Sequence, residues 1–214
     1  MSDAARVVAG PRIVVATGNM HKLEEIRAIL AGLDVTLLSM QDFAIPEPIE
    51  DGDTFEANAY IKARACVAAT RMPAIADDSG IEVDALGGAP GVYSARYAGH
   101  PTDDRANNAK LIAQLSGHRQ PWTARFVCAA ALVLPDGTEH VVREAMEGRV
   151  VAEPRGAHGF GYDPHFVSSA ADGRTNAELL PHQKDAISHR GAAFRALRQL
   201  IEAQLLSETP TPRP

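Results

Sequence analysis

Two runs of β-forming residues, Thr123 to Leu134 and Glu139 to Ala145, are separated only by Pro135-Asp136-Gly137-Thr138. That turn between such runs is a strong hairpin signal, so an antiparallel strand pair is fixed in the second half of the chain. Glu147 to Val151 reads as a continuation of the same sheet, and the hairpin itself carries no obvious chemistry. Earlier, Arg12-Ile13-Val14-Val15-Ala16 is a short β-branched run that reads as a buried strand, and Val35 to Leu38 reads as a second. Between them Leu23, Ile26, Ile29 and Leu30 recur at helical spacing. Asp53-Thr54-Phe55-Glu56 resembles a capping box opening a helix to about Thr70, with Phe55, Ala59, Ala63 and Val67 on one face. Thr102 to Leu115 is a further helix, capped by Thr102 or Asp103 and stopped at Gly117. Phe194, Leu197, Leu200, Ile201 and Leu205 mark a final one.

A chain of 214 residues without a repeat or linker is one domain by default, and two lobes are compatible with that. Met1 to Pro11 reads as a loose leader, and Ser207 to Pro214, with three prolines, as a disordered tail. Aromatic residues are only 5%, so Ala, Val, Ile and Leu must fill the core. The net charge of -6 argues against a nucleic-acid surface but not against a small anion held in a local basic pocket. Cys66 and Cys128 lie in apolar surroundings and are expected as buried thiols. No apolar run reaches membrane-spanning length and the start lacks a secretory signal, so a soluble cytoplasmic protein is expected, with no membrane partner.

Several stretches carry chemistry. Ile75-Ala76-Asp77-Asp78-Ser79-Gly80-Ile81-Glu82-Val83 reads as a strand delivering two carboxylates to its end, a turn at Ser79-Gly80, and a second strand. Neighbouring strand residues face opposite ways, so Asp77 and Asp78 are expected to do different jobs. One suits holding a divalent cation or activating water, the other anchoring the turn. A plain polar hairpin is the competing reading. Thr17-Gly18-Asn19-Met20-His21-Lys22 joins a strand to a helix, a geometry that offers backbone N–H groups to phosphate, with Lys22 as a mobile cation. It lacks Walker A spacing, and an ordinary Asn-capped connection reads equally well. Glu47, Glu50, Asp51 and Asp53 crowd one loop, and Asn58 and Lys62 share a helix face at i, i+4. Leu86 to Tyr97, with three glycines and a proline, reads as a loop in which backbone approaches something closely, and its Arg96 suits an anion or a helix end. Gly159-Phe160-Gly161-Tyr162-Asp163 can frame a planar base with an aromatic face and open backbone groups. Lys184, His189 and Arg190 are three potential cations near the start of the last helix. Carboxylates for a hard cation, cations for phosphates and an aromatic for a base together make a site for a nucleoside triphosphate with magnesium.

Taken in order, Ala16-Thr17-Gly18-Asn19…Lys22, Thr54-Phe55…Asn58-Ala59…Lys62-Ala63, Ile75 to Gly80, Gly87-Gly88-Ala89-Pro90-Gly91…Tyr93 to Tyr97, Gly159 to Pro164 and Ser188-His189-Arg190-Gly191 resemble the inosine triphosphate pyrophosphatase family. The likeness is to its bacterial dITP/XTP type and spans roughly Arg12 to Leu205. Many members carry Glu directly before the Asn of the second segment. Here Ala57 stands there and Glu56 lies one residue earlier, a shift of about 100° on a helix. No role is carried onto Glu56, and Glu50 is preferred as the second metal carboxylate.

The resemblance implies an α/β fold: a mixed central β-sheet flanked by helices, in two lobes around an active-site cleft. It also implies a homodimer. The implied reaction is magnesium-dependent hydrolysis between the α- and β-phosphates of ITP, dITP, XTP and dXTP, giving monophosphate and pyrophosphate. Asp78 is implied as general base or metal ligand, Glu50 as a magnesium ligand, and Asp77 as a ligand or a support behind one. Thr17, Gly18, Asn19, Met20, His21, Lys22 and Ser79 would line the triphosphate, and Lys62 would offset charge on it. Phe160, Gly161, Tyr162, Asp163, Lys184, His189 and Arg190 are the candidates around the base. Two alternatives remain: a related-fold pyrophosphatase for modified pyrimidine or ordinary nucleotides, and a non-catalytic nucleotide sensor. Ser188-His189-Arg190 speaks against the first, and Asp77, Asp78 and Glu50 speak against the second.

Overall fold

The structure, a computed structural model, describes residues 10–207. One six-stranded sheet runs through it in the order β2-β1-β3-β4-β5-β6. β1 (Arg12–Val15) is parallel to both β2 (Thr36–Ser39) and β3 (Ala74–Val83). β3, β4 (Trp122–Val133), β5 (Glu139–Val150) and β6 (Phe166–Ser168) pair antiparallel in turn, and β4 and β5 are the expected hairpin. The five α-helices are α1 (Met20–Ile29), α2 (Phe55–Thr70), α3 (Asp104–Leu115), α4 (Pro181–Ile187) and α5 (His189–Ile201). None of the described helices is long and apolar enough to cross a membrane.

Period-two alternation assigns the two faces of the sheet. Ile13 and Val15 of β1, Ile75 of β3, and Cys128, Ala130 and Leu132 of β4 pack with Leu23 and Ile26 of α1 and Phe194, Leu197 and Ile201 of α5. Their neighbours turn the other way, onto the face covered by α2: Val14, Ala16, Ala74 and Ala76 join Ala63 and Cys66, and Val127, Ala129 and Ala131 join Phe55 and Ala59. The short side chains of β4 let helices approach from both sides, which is how a core poor in aromatics is filled. Both cysteines are free and buried.

β3, β4 and β5 are 10, 12 and 12 residues long, beyond the usual five or six. Their far ends build another core on the α1/α5 face: Ile81, Val83, Phe126, Met146 and Phe166 with Leu111 and Leu115 of α3. On β3 the two cores are parted by Asp77 and Ser79. β1 stops at Val15 while β3 runs on, so one edge of β3 from Asp77 to Ile81 has no neighbouring strand. A crevice opens there, beyond the carboxyl end of a parallel strand.

The expected turn at Ser79-Gly80 is not formed. β3 is unbroken and pairs with β4 from Ala74↔Val133 to Val83↔Ala124. Gly80 serves close packing instead: a Cβ there would lie 2.4 Å from Ser94 Oγ and 2.5 Å from the Gly91 carbonyl oxygen. Most of the expected loop from Leu86 to Tyr97 is 3-10 turn, at Asp84–Leu86 and Gly91–Arg96. Gly10 and Pro11, expected in a loose leader, are in place, with Thr36 N–H donating to the Pro11 carbonyl at 2.9 Å. Ser207 is likewise tied to Glu202 at 2.9 Å. The rest of the expected leader and tail, 1–9 and 208–214, lies outside the described residues.

Candidate active site

The crevice is a cleft of about 320 Å³, within the usual range for small-molecule sites. Its floor is β3, and the strand pleat divides the labour of the two acids. Asp78 turns toward α2. Its Oδ2 accepts from Asn58 Nδ2 at 3.1 Å, and its Oδ1 accepts from Lys62 Nζ at 3.3 Å and from the Ser79 N–H at 3.1 Å. The i, i+4 pair on α2 therefore converges on one carboxylate, as its shared face required. Lys62 Nζ also donates to Glu50 Oε2 at 2.9 Å. Burial alone lowers the Lys62 pKa, but the Asp78 and Glu50 carboxylates outweigh it and hold the amine charged. Asn58 Oδ1 accepts the Gly52 N–H at 2.9 Å, which pins the acidic loop to the same helix.

Asp77 turns the other way and lies beneath the cleft rather than on its wall. It is 1% exposed, and its Oδ2 accepts from Arg190 Nε and Nη2 at 3.2 and 3.0 Å, with Lys22 Nζ 3.2 Å away. Burial raises its pKa, but Lys22, Arg190 and Lys62 outweigh burial and keep it well below the usual carboxylate range. Arg190 also donates to Ser79 Oγ at 2.7 Å and to Glu25 Oε2 at 2.6 Å. Glu25 takes Lys184 Nζ on its other oxygen at 2.9 Å, and Lys184 reaches Asp163 Oδ2 at 2.6 Å. Asp77, Arg190, Glu25, Lys184 and Asp163 thus form one chain of alternating charge, buried except at the partly exposed Glu25.

Asp163 holds the glycine-rich loop from inside, accepting from the Phe160 N–H at 3.0 Å and from Asn176 Nδ2 at 3.1 Å. Phe160 is left half-buried on the cleft wall, with Lys184 Nζ 4.8 Å and Arg190 Cζ 5.7 Å from its ring centre. Tyr162 is mostly core: its ring packs with Ile81 and Leu111, and its hydroxyl donates to the Ser94 carbonyl at 2.8 Å. His189 stacks on Phe126 at 4.9 Å. Burial, with Arg190 and Lys184 beside it, drives its pKa well below the usual value. The three expected cations are therefore two, both buried and paired, with a neutral imidazole between them.

At the strand-to-helix turn, Asn19 caps α1, its Oδ1 accepting the N–H of His21 at 3.0 Å and of Lys22 at 3.2 Å. Those two groups are engaged by the cap; Thr17, Gly18, Asn19 and Lys22 still line the cleft. Met20 and His21 do not: Met20 is 48% exposed, and the His21 ring stacks against Phe160 at 5.5 Å. Glu56 lies off the cleft, 3.4 Å from Arg143. Glu47, from the crowded acidic loop, lines the cleft as well, and residues given no site role in the sequence contribute too, among them Ser94, Thr102 and Asp104 on the walls and Glu25 behind them. Only Glu25 had a legible signal, since i, i+3 spacing puts it on the helix face of Lys22.

Among the described residues no three acids, histidines or cysteines cluster as a closed metal cage. Glu50 and Asp78 nevertheless converge on one point, marked by the Lys62 ammonium between them. Two carboxylates facing a cleft fit magnesium, which keeps few protein ligands and completes its shell from water and phosphate.

Known proteins resemble this chain along most of its length. The model of the Ham1 family matches residues 13–200. A dITP/XTP pyrophosphatase of Geobacter sulfurreducens is 51% identical over 189 residues, covering 87% of this chain and 94% of that protein. One from Frankia alni is 51% identical over 206 residues, covering 92% of this chain and 100% of that protein. Among solved structures, a HAM1 protein from Coxiella burnetii superposes with a TM-score of 0.83 at 38% identity, over 90% of this chain and 99% of that one. By that match and those identities the chain belongs to the Ham1 family.

Proposed function

We propose that this chain is a nucleoside-triphosphate pyrophosphatase that hydrolyses dITP, ITP, XTP and dXTP to the monophosphate and pyrophosphate, with magnesium, and so clears them from the nucleotide pool. The observation that carries the reading is the convergence of Asp78, Glu50 and Lys62 at one point in the cleft, in a chain half identical to named dITP/XTP pyrophosphatases. Glu50 and Asp78 would hold the magnesium ion. When bound, the ion offsets phosphate charge as a Lewis acid. Asp78 Oδ2 has one partner, Asn58, and so a lone pair to accept the proton of a water attacking the α-phosphorus. The water oxygen joins the α-phosphate as the bond to the bridging oxygen breaks, and that oxygen leaves with the pyrophosphate. Lys62, already charged, faces the phosphate that gains charge.

The base would stack on Phe160 and present its edge to Lys184, His189 and Arg190. A 6-carbonyl, as in hypoxanthine and xanthine, accepts from such donors. Adenine puts an amino group there and leaves a buried donor unmatched, a strong basis for rejection.

The test is pyrophosphate release from dITP, XTP, dATP and dGTP, with and without magnesium, for wild type and Asp78→Asn. Magnesium-dependent release from dITP and XTP, lost by about a hundredfold or more in the variant, is expected. Orthophosphate in place of pyrophosphate would overturn the reading. We also read the chain as a homodimer, which light scattering on the purified protein checks directly.

A further inference from the structure

Every lysine and arginine lining the cleft except one is matched by a carboxylate. Lys22 faces Asp77, Lys62 faces Glu50 and Asp78, Lys184 faces Glu25 and Asp163, and Arg190 faces Asp77 and Glu25. Among the described residues no carboxylate comes within ion-pair distance of Arg96, which lines the same cleft. Its guanidinium donates through Nη2 to the Glu50 backbone carbonyl at 3.3 Å and lies over the Tyr93 ring at 5.2 Å. It is a positioned cation with unspent donors.

Arg96 is tied to the acidic centre by a series of contacts. Arg190, beside Phe160, donates to Ser79 Oγ; the Ser79 N–H donates to Asp78 Oδ1; Lys62 joins Asp78 to Glu50; and the Glu50 carbonyl accepts from Arg96. Phe160 and Arg190 mark the base end and Asp78 the reacting centre, and Arg96 is joined to that centre through Glu50 and Lys62. With the α-phosphorus at Asp78, the β- and γ-phosphates would have Arg96 within the same cleft, on the Glu50 side of that centre. The mount is rigid: Ser94 Oγ accepts the Ile81 N–H at 2.9 Å and donates to the Gly91 carbonyl at 2.6 Å, fixing the 3-10 turn that carries Arg96 against β3. A planar fork of donors on a fixed mount suits a diphosphate better than a lone ammonium would.

We infer that Arg96 binds the departing pyrophosphate, making it the leaving-group residue of this site. The inference rests on cleavage between the α- and β-phosphates, as proposed above. Cleavage there puts new negative charge on the bridging oxygen and the pyrophosphate that carries it, so Arg96 acts on the transition state and on product release together.

The experiment is binding of inorganic pyrophosphate and of dIMP, each alone with magnesium, to wild type, Arg96→Ala and Arg96→Lys by calorimetry. Product inhibition by each, and the thermal midpoint, are measured in parallel. Losing a charge-assisted contact is expected to weaken pyrophosphate about tenfold or more in Arg96→Ala while dIMP changes less than about twofold, with Arg96→Lys recovering part of the loss. Equal weakening of both products would make Arg96 a prop for the Glu50 loop, and no weakening of pyrophosphate would remove it from the site; either overturns the inference. Failure of the underlying reading is separate, because wild-type enzyme would then release orthophosphate from dITP.

Discussion

Asp77 and Asp78 are consecutive, and the pleat of β3 gives them opposite neighbours and opposite consequences when changed. Asp77 is the counter-charge of Arg190, which is 2% exposed. Asp77→Asn leaves that guanidinium buried with Glu25 alone, and is expected to cost about 3 kcal/mol or more in chemical denaturation. The pH sign follows from its depressed folded pKa. The stabilisation is present above the unfolded value of about 3.9 and is lost as pH falls below it, so Asp77→Asn should flatten acid unfolding below pH 4. Asp78→Asn leaves Lys62 with Glu50 and Asn58 with an amide partner, so it should abolish turnover within about 1 kcal/mol of wild-type stability. If the two variants were equally unstable, the division of labour would be wrong. Asp185 carries the opposite sign. Burial, with Glu25 adding to it, pushes its carboxyl up to about 6, and Oδ1 has no partner. Its raised folded pKa makes ionisation a cost that appears as pH rises from about 4 through 6. Because Asp185 is only partly buried and water screens it, Asp185→Asn should stabilise by on the order of 1 kcal/mol at pH 8 and by almost nothing at pH 4.

The elements legible in the sequence were those whose pattern is local. The β4–β5 hairpin, β1, β2, α2 and α3 follow from alternation, helical spacing and caps, and Thr54 and Asp103 do cap α2 and α3 through hydrogen bonds to Ala57, Arg105 and Ala106. The site was legible as a set of residues: Glu50, Lys62, Asp78, Phe160, Lys184 and Arg190 do share one cleft. What was not legible depends on partners distant in sequence. Ser79-Gly80 has turn composition, yet pairing with β4 keeps it extended, and Gly80 is explained only by the 3-10 turn packed on it. In sequence Arg190 is only a potential cation near a helix start, because its partner Asp77 is 113 residues away. Gly80→Ala tests the packing: its Cβ meets a backbone oxygen that cannot rotate aside, so the Gly91–Arg96 turn must shift. The expected cost is about 1–3 kcal/mol, together with a KM for dITP raised more than kcat is lowered, read from urea titration and steady-state kinetics. An unchanged KM would detach that turn from the site.

At the scale of the molecule, the cleft exists because two cores share strands but not helices. α1 and α5 cover one stretch of the sheet, α3 covers the far end, and polar Asp77 and Ser79 separate them. Such a layout could unfold in two steps or one. The strands decide it: β4 contributes Cys128, Ala130 and Leu132 to the first core and Ala124 and Phe126 to the second, without a break in its pairing to β3 or β5. Melting one core would strip one face from strands that the other core needs. One cooperative transition is expected, and the chain carries its own reporter, because the single tryptophan, Trp122, sits in the α3 core. Phe194→Ala, in the other core, removes a fully buried ring at a cost of about 3–5 kcal/mol. Its effect should appear in full at Trp122: the fluorescence midpoint and the far-ultraviolet dichroism midpoint should fall together, by the same amount. A Trp122 transition that stays at its wild-type position while the dichroism midpoint drops would mean that the lobes melt separately. The cleft between them would then be a hinge rather than a fixed gap in one sheet.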